Sequence, residues 1–342
     1  MRFRKLAVIV SLFISQFLFA QDFKQASEYL SYIGEEYSRI AKDQWSYTKA
    51  VGHGKGSRKI DKRRLEVAQS ILEAKRKIAR MPPFNRTTKF RDAIVSSMTV
   101  RYHVIQEDYA KIVDMEEVAE QSYDQMEAYL LAKKLASEKV QSAHQVVSNQ
   151  QKIFANENNI NLIQSETKLG EKMKEASRVF DYYNEVYLLF FKSYKQEAYL
   201  IEAMSRQDIN AIEQNKSALL NYSKDSREKL KELTNYHGDQ SLYLSSRQCL
   251  QFYSEEAENK IPIQMEYFMK KNQFQKIKSA FDQIKTSKRT QADIDKYNNA
   301  IAELNIAMEK FNAITTSLNK ERSKLLDNWN NKSNAFLDKH IP

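Results

Sequence analysis

Two pairs of segments in this chain of 342 residues resemble each other at nearly the same spacing. Residues 28–40 resemble residues 178–190 at a shift of 150, and residues 96–112 resemble residues 245–261 at a shift of 149. An internal repeat indicates a repeated structural unit, so it constrains the architecture more than any single motif does. We therefore expect two related modules in tandem. The matched residues are Tyr32, Glu35, Tyr37, Ser96, Ser97, Glu107, Lys111 and Ile112, which correspond to Tyr182, Glu185, Tyr187, Ser245, Ser246, Glu256, Lys260 and Ile261.

The modules are expected to be helical, because the residues that tight turns require are scarce. The chain has six Gly and four Pro, too few for the hairpins of a sheet-rich fold. Apolar residues recur at spacings of three and four, as at Tyr29, Ile33, Tyr37 and Ile40, which places them on one face of a helix. A continuous coiled coil is the alternative, but no heptad repeat is sustained. The prediction is an all-α fold of two tandem, duplicated, elongated four-helix modules.

The first module is expected over residues 21–160 and the second over residues 161–342. An Asn-rich stretch at 156–164 has no sustained periodicity and is the predicted linker. The predicted helices cover about 22–50, 62–80, 88–134 and 137–156 in the first module, and about 165–205, 208–238, 239–285 and 290–338 in the second. An internal break in the helix at 88–134 is left open.

Residue types that cap or bend helices place several of these boundaries. Ser137 and Asp208 are predicted N-caps, since their side chains accept hydrogen bonds from first-turn amides. Gly238 is a predicted C-cap. Pro262 lacks an amide donor, so it predicts either a kink near Lys260 or a broken helix.

Residues 1–20 have the pattern of a signal peptide. A short basic region precedes the apolar stretch from Leu6 to Ala20, and cleavage is expected before Gln21. An uncleaved N-terminal anchor is the alternative. Cleavage leaves no stable transmembrane anchor, and it reduces the formal net charge from +10 to +7 by removing three cations. The basic residues of the leader are Arg2, Arg4 and Lys5.

The lone cysteine, Cys249, lies at an apolar position of a predicted helix and is expected to be buried and inert. A signal peptide without a disulfide framework favours the periplasm or the cell surface of a Gram-negative bacterium. The basic charge of the mature chain favours an anionic partner. Export and the absence of a recognisable motif argue against nucleic acid.

The connection between the first two predicted helices is the main candidate site. Three glycines permit close backbone approach, and a helix begins directly after them. It lacks the spacing of a phosphate-binding P-loop, and no strand precedes it. The alternative to ligand binding is a structural role, in which the excess cations of residues 52–91 form ion pairs with the acidic segment 107–127. The candidate anion- or partner-binding residues are His53, Lys55, Arg58, Lys59, Lys62, Arg63 and Arg64.

The sequence gives little support for a metal site or for nucleophilic catalysis. The acidic segment lacks the Glu-x-x-His pairs of di-iron bundles, and the nearest pair is His103 with Glu107. Cys249 has no neighbouring His, and no nucleophile-elbow motif occurs. We therefore predict no metal, no cofactor and no catalytic residue. An aromatic stripe either packs in the core or lines a pocket for a lipid or porphyrin, and it comprises Phe180, Tyr183, Tyr187, Phe190, Phe191 and Tyr194.

Four features together carry a family resemblance. They are the leader, AVGHGKGSRKIDKRR from Ala50, MPPF from Met81, and QEDYAKIVDMEEVAEQSYDQMEAYLLA from Gln106. They resemble an uncharacterised family of exported, all-helical bacterial surface proteins of the leptospiral type that is common in Bacteroidetes. The resemblance is densest over residues 45–135 and implies a location in the bacterial envelope. It implies no activity, cofactor or catalytic residue.

The expected function is that of a non-enzymatic, exported envelope or surface protein that acts as a helical binding or interaction module. Its partner would be an anionic envelope component or a protein, contacted through the basic loop at residues 52–64. A carrier of an apolar ligand is one alternative, and a hydrolytic enzyme is the less favoured one.

Overall fold

The computed structural model describes residues 23–162, 167–233 and 235–341. The predicted signal peptide lies outside these residues. Within them, the prediction of an all-α protein is confirmed, because the chain forms helices and no strand. None of the described helices has an apolar stretch long enough to cross a membrane.

The described chain contains ten α-helical segments, which form eight continuous helices. The third and fourth segments are joined by a π-helical turn at Val104–Asp108, and the eighth and ninth by another at Glu256–Lys260. The segments are α1 Ala26–Gly52, α2 Ser57–Ala79, α3 Lys89–His103, α4 Tyr109–Ala119, α5 Tyr123–Glu157, α6 Lys168–Ser205, α7 Ile209–Glu232, α8 Ser241–Glu255, α9 Ile261–Gln283 and α10 Gln291–His340.

Two large clusters of buried side chains hold the helices together. The first lies among α1, α2, α3 and α5 and includes Ile71 and Phe154. The second lies among α6 to α10 and includes Leu219 and Trp329. Trp45 of α1 belongs to the second cluster, and the ammonium of Lys172 lies 6.0 Å from its ring centre. The halves of the chain are therefore packed against each other.

The C-terminal ends of α1 and α10 meet at this junction. A Cβ atom on Gly52 would lie 2.7 Å from Cδ1 of Ile341, so only glycine permits this approach without a shift of the neighbour. His53 Nδ1 lies 2.6 Å from Asp338 Oδ1 beside it. The first of the three loop glycines therefore serves packing between the halves.

Several local structures recur at a fixed shift along the chain. The tight turn Phe84–Thr87 has its counterpart at Tyr236–Asp239, and the two π-helical turns begin at residues 104 and 256, so both features recur at a shift of 152. The matched sequence windows recur at shifts of 149 and 150, which are two to three residues smaller than the structural shift of 152. This difference is close to one helical turn. A helical pattern that repeats about every 3.6 residues allows such a slip. The duplication itself stays a prediction.

Similar aromatic groups lie beside the two tight turns. Tyr29, Phe84 and Phe154 have ring centres 5.4–5.6 Å apart. Tyr182, Tyr236 and Phe336 have ring centres 5.3–5.6 Å apart. Tyr29 is thus the counterpart of Tyr182, whereas the sequence windows matched Tyr32 to it.

Two predicted helix boundaries are wrong. Ser137 lies inside α5, which begins at Tyr123, where the Ser122 hydroxyl accepts a hydrogen bond from the Gln125 amide at 3.2 Å. Gly238 does not cap a helix, since α7 ends at Glu232; its φ of 83° places it in the tight turn instead. The N-cap at Asp208 is confirmed, because its Oδ1 accepts from the Ala211 amide at 3.0 Å.

The irregularity expected at Pro262 is present as the π-helical turn that ends at Lys260. The proline is not its cause, because the equivalent turn at Val104–Asp108 is followed by Tyr109 and Ala110 and forms without proline. Arg64 satisfies one carbonyl of that first turn, since its Nη1 donates to the Ile105 oxygen at 2.8 Å.

Candidate functional site

The backbone of the α1–α2 connection is that of an ordinary helix C-cap. The Lys55 amide donates to the Ala50 carbonyl at 3.0 Å, and Gly54 has a φ of 55°, which is the geometry of a Schellman motif. The end of α6 repeats this geometry, with Gln207 at a φ of 54° in the position of Gly54. Gly54 therefore serves to end α1, and its presence does not itself indicate a ligand.

Three of the seven candidate cations stabilise the fold. His53 pairs with Asp338 across the junction of the halves. Arg63 pairs with Glu66 at 2.6 Å, one turn along the same helix. Arg64 is buried, pairs with Asp61 at 2.8 Å and holds the π-helical turn.

The other four cations are exposed and surround the N-terminus of α2. Within the described chain, none of them forms an ion pair. The N-cap residue of α2, Gly56, has no side chain to accept from the first-turn amides, and the first turn contains no acidic residue. Unpaired amides and the helix dipole make this end electropositive, and cationic side chains add to it. The four exposed cations are Lys55, Arg58, Lys59 and Lys62.

The equivalent helix in the second half provides its own anion. Asp208 is the N-cap of α7, and its carboxylate accepts from the Ala211 amide at 3.0 Å. At a shift of 152, the positions of Arg58, Lys59 and Lys62 are occupied by the uncharged residues Asn210, Ala211 and Gln214. The two helix N-termini thus have opposite electrostatics on similar backbones.

Substitution of Gly56 by Asp is expected to raise the free energy of unfolding by about 0.5–1 kcal/mol, because it supplies both the missing cap and a charge that opposes the dipole. The site accepts the change, since φ is −56° and no atom lies within 4 Å of the added Cβ. Urea unfolding measures the effect. Gly56→Asn supplies a cap without the charge, so it is expected to add only a few tenths of a kcal/mol. Equal gains from both variants would contradict the electrostatic explanation.

A shallow surface groove of about 600 Å³ runs beside these cations, between α2 and the first π-helical turn. Arg58 and Lys62 line one side of it, and Leu65 and Tyr102 give it an apolar portion. A group that binds at the N-terminus of α2 would therefore have further surface to contact.

The acidic segment does not neutralise the basic one through ion pairs among the described side chains. Glu107 pairs with His103 at 2.7 Å, and Asp108 pairs with Lys139 at 3.0 Å. No ion pair in the described chain joins residues 52–91 to residues 107–127. Among the described side chains, the four exposed cations around α2 therefore form no ion pair with the acidic segment.

The aromatic stripe on α6 is packed against other rings. Phe190 stacks on Trp329 with ring centres 4.3 Å apart, and Tyr187 stacks on Phe191 at 5.4 Å. The contact with Trp329 places Phe190 in the core between α6 and α10, and Phe191 is buried in the same cluster. Within the described residues, no group of three or more His, Cys, Asp or Glu side chains is arranged to hold a metal ion.

A second charged group, not recognised in the sequence, lies in the core of the second half. Arg322 of α10 donates from Nε to Glu197 Oε1 of α6 at 2.6 Å and from Nη2 to Glu256 Oε1 of the second π-helical turn at 2.6 Å. The two glutamates are each only 2% exposed. One guanidinium thus faces two carboxyl groups away from water. We call these three residues the buried triad.

The surroundings of Glu256 favour its protonated form. Burial and the adjacent Glu197 together raise the pKa of Glu256 to about 9, while Arg322 opposes the shift. Glu256 Oε2 is buried without a hydrogen-bond partner in the described chain. Burial also raises the pKa of the Cys249 thiol to about 12, which agrees with an inert cysteine. The counterpart of Glu256 in the first half is the fully buried Val104, so the triad is specific to the second half.

No sequence signal would have revealed the triad, because its members are far apart in the chain and each is a common residue of an amphipathic helix. Comparison with known proteins adds no further assignment: no family model, curated protein or solved structure matches this chain.

Proposed function

We propose that the protein is an exported, non-enzymatic helical binding protein of a bacterial envelope, and that the N-terminus of α2 contacts an anionic partner. The observation that carries the proposal is the contrast between two equivalent helix ends. The α7 end is neutralised by its own Asp208, whereas the α2 end has Gly56 and four exposed cations. Phosphate, sulfate and carboxylate groups are the ligands that such an end favours.

We also infer that the two halves arose by duplication and that specialised function lies where they differ. The recurrence of the tight turn and of the π-helical turn at one shift supports this inference. The halves differ at the N-termini of α2 and α7, at the buried triad, and in the lengths of α9 and α10. Export and envelope location rest on the leader sequence and the family resemblance. Cell fractionation with surface proteolysis would separate periplasm from cell surface.

The binding proposal is tested by replacing the four exposed cations together with Gln. Binding of the mature chain to heparin, used as a polyanion probe, would be measured by isothermal titration at low and at moderate salt. The affinity of this loop variant is expected to fall at least tenfold, about 1.4 kcal/mol, with a weaker salt dependence than the unchanged protein has. Circular dichroism would verify that helicity is retained.

A matched control removes four exposed cations of α10 that also form no ion pair. The control replaces Lys310, Lys320, Lys324 and Lys332 by Gln and changes the net charge equally. It is expected to keep the affinity within about twofold if binding depends on the α2 site and not on net charge. Equal losses in both variants, or unchanged affinity in the loop variant, would refute the proposal.

A further inference from the structure

The helices α9 and α10 continue beyond the core of the second half as a two-helix arm. The last buried residue of α9 is Phe268, and the first buried residue of α10 is Ala307. A hydrogen bond from Lys271 Nζ to Gln207 Oε1 at 2.9 Å joins the base of the arm to the α6–α7 connection. We call residues 269–306 the arm. At 1.5 Å per helical residue it extends roughly 20 Å beyond the core.

The arm is held together by its own contacts. Tyr297 of α10 stacks on Phe281 of α9 with ring centres 4.6 Å apart and contacts Phe274 at 5.7 Å. The Arg289 guanidinium lies 4.2 Å from the centre of the Phe281 ring. Lys270 pairs with Glu303 across the two helices at 2.7 Å. The arm is therefore an ordered hairpin, although no core lies beneath it.

In the part of the first half that the structure describes, there is no equivalent projection. Its corresponding helices, α4 and α5, have 11 and 35 residues, whereas α9 and α10 have 23 and 50. Both helices of the hairpin are thus longer than their counterparts by similar amounts, 12 residues for α9 and 15 residues for α10. Lengthening both helices preserves their pairing, so the addition acts as one unit and extends away from the body.

The charges of the arm are not balanced. It contains eight Lys and Arg against four Asp and Glu, a net charge of +4. Each acidic residue is engaged within the arm: Asp282 with Lys278, Asp293 with Thr290, Asp295 with Gln291, and Glu303 with Lys270. Four exposed lysines form no ion pair in the described chain, and they are Lys276, Lys285, Lys288 and Lys296.

We propose that the end of the arm binds an anionic membrane surface. The free cations are lysines, which act as hydrated point charges and suit a diffuse array of lipid phosphates. The one arginine of the arm, Arg289, packs on the Phe281 ring and donates from Nε to the Ile284 carbonyl, so its guanidinium is held against the arm. The lysines are distributed over α9, the connection and α10 of the arm. A narrow two-helix end offers little of the area that a stable protein interface requires.

The arm and the α2 site are separate in space. His53, beside the α2 site, contacts Asp338 near one end of α10, and the arm includes the other end of this helix at Gln291. The intervening residues correspond to roughly 70 Å of helix. Anion binding at the α2 site and membrane binding by the arm can therefore be tested independently, because variants at one site leave the other unchanged.

The test uses the mature chain and sedimentation with phosphatidylcholine vesicles that contain about one-third phosphatidylglycerol, in about 0.1 M NaCl. Near the surface each lysine contributes about 1 kcal/mol, so loss of all four is expected to weaken binding by at least tenfold. The arm variant replaces the four free lysines by Gln, and the α10 control variant used for the α2 site again changes the charge equally. Pure phosphatidylcholine vesicles are expected to bind none of these proteins.

The expected pattern is binding by the unchanged protein, by the α10 control and by the loop variant, with loss only in the arm variant. Several outcomes would overturn the proposal: no binding of the unchanged protein to anionic vesicles, equal binding by the arm variant, or equal loss in the α10 control. Binding of polyglutamate through the same lysines, without binding of vesicles, would assign the arm to an acidic protein and would also refute it. Retained helicity by circular dichroism is required of each variant.

Discussion

Replacing Arg322 by Met is expected to lower the free energy of unfolding by about 3–5 kcal/mol. Among the described residues, the guanidinium is the only group that donates to both Glu197 and Glu256, at 2.6 Å each. Its removal leaves two adjacent carboxyl groups buried without a positive charge, and the methionine supplies only part of the lost packing. Chemical unfolding at neutral pH, followed by far-ultraviolet circular dichroism, measures the change.

The matched control for this substitution is Arg178→Met. Arg178 pairs with Glu175 at 3.2 Å, but its side chain is 57% exposed. An exposed pair contributes at most about 1 kcal/mol, so this variant is expected to lose little stability. A loss below about 1 kcal/mol for Arg322→Met would show that the triad does not hold α6, the π-helical turn and α10 together.

Replacing Glu256 by Gln is expected to remove much of the pH dependence of stability between about pH 5 and pH 9. Burial and Glu197 raise the pKa of Glu256 from 4.5 to about 9 in the folded protein. The folded state therefore retains a proton that the unfolded state releases in this range. The contribution of Glu256 to the free energy of unfolding is fully present below pH 4.5. It decreases as the pH rises toward 9, by up to about 1.4 kcal/mol per pH unit.

Gln keeps the carbonyl oxygen that accepts from Arg322, and like the protonated carboxyl group its amide carries no charge that burial would penalise. The variant is therefore expected to match the unchanged protein near pH 5 and to be more stable by up to a few kcal/mol near pH 8.5. Urea unfolding at several pH values tests this result. The control is Glu258→Gln, in which the exposed Glu258 loses its pair with Lys224 at 3.2 Å. Parallel pH profiles for Glu256→Gln and the unchanged protein would contradict the account.

The periodicity of apolar residues predicted most of the helices, because the buried face of an amphipathic helix requires apolar side chains every three or four residues. The pattern at Tyr29, Ile33 and Ile40 corresponds to buried positions of α1. The sequence allowed a break inside the predicted helix 88–134 but did not locate it, because the break spans only three residues, from Glu120 to Ser122, and contains neither Gly nor Pro. The π-helical turns were missed because no residue type marks one.

The basic loop was recognised from its composition, but composition does not distinguish cations that bind from cations that hold the fold. Arg64 and Lys62 are two residues apart, yet Arg64 is buried against the π-helical turn and Lys62 is exposed. That difference depends on which face of α2 packs against α3. The triad was beyond prediction, since only the tertiary fold brings Glu197, Glu256 and Arg322 together.

The central claim is that the N-terminus of α2 is left open for an external anion. The most direct test compares the heparin affinities of Gly56→Asp and Gly56→Asn with that of the unchanged protein. The introduced carboxylate would occupy the helix end as Asp208 does in α7, so Gly56→Asp is expected to bind at least fivefold more weakly, about 1 kcal/mol. Gly56→Asn, and Asn210→Asp at the equivalent turn of α7, are expected to bind as the unchanged protein does. Equal affinity of Gly56→Asp and Gly56→Asn would contradict the claim.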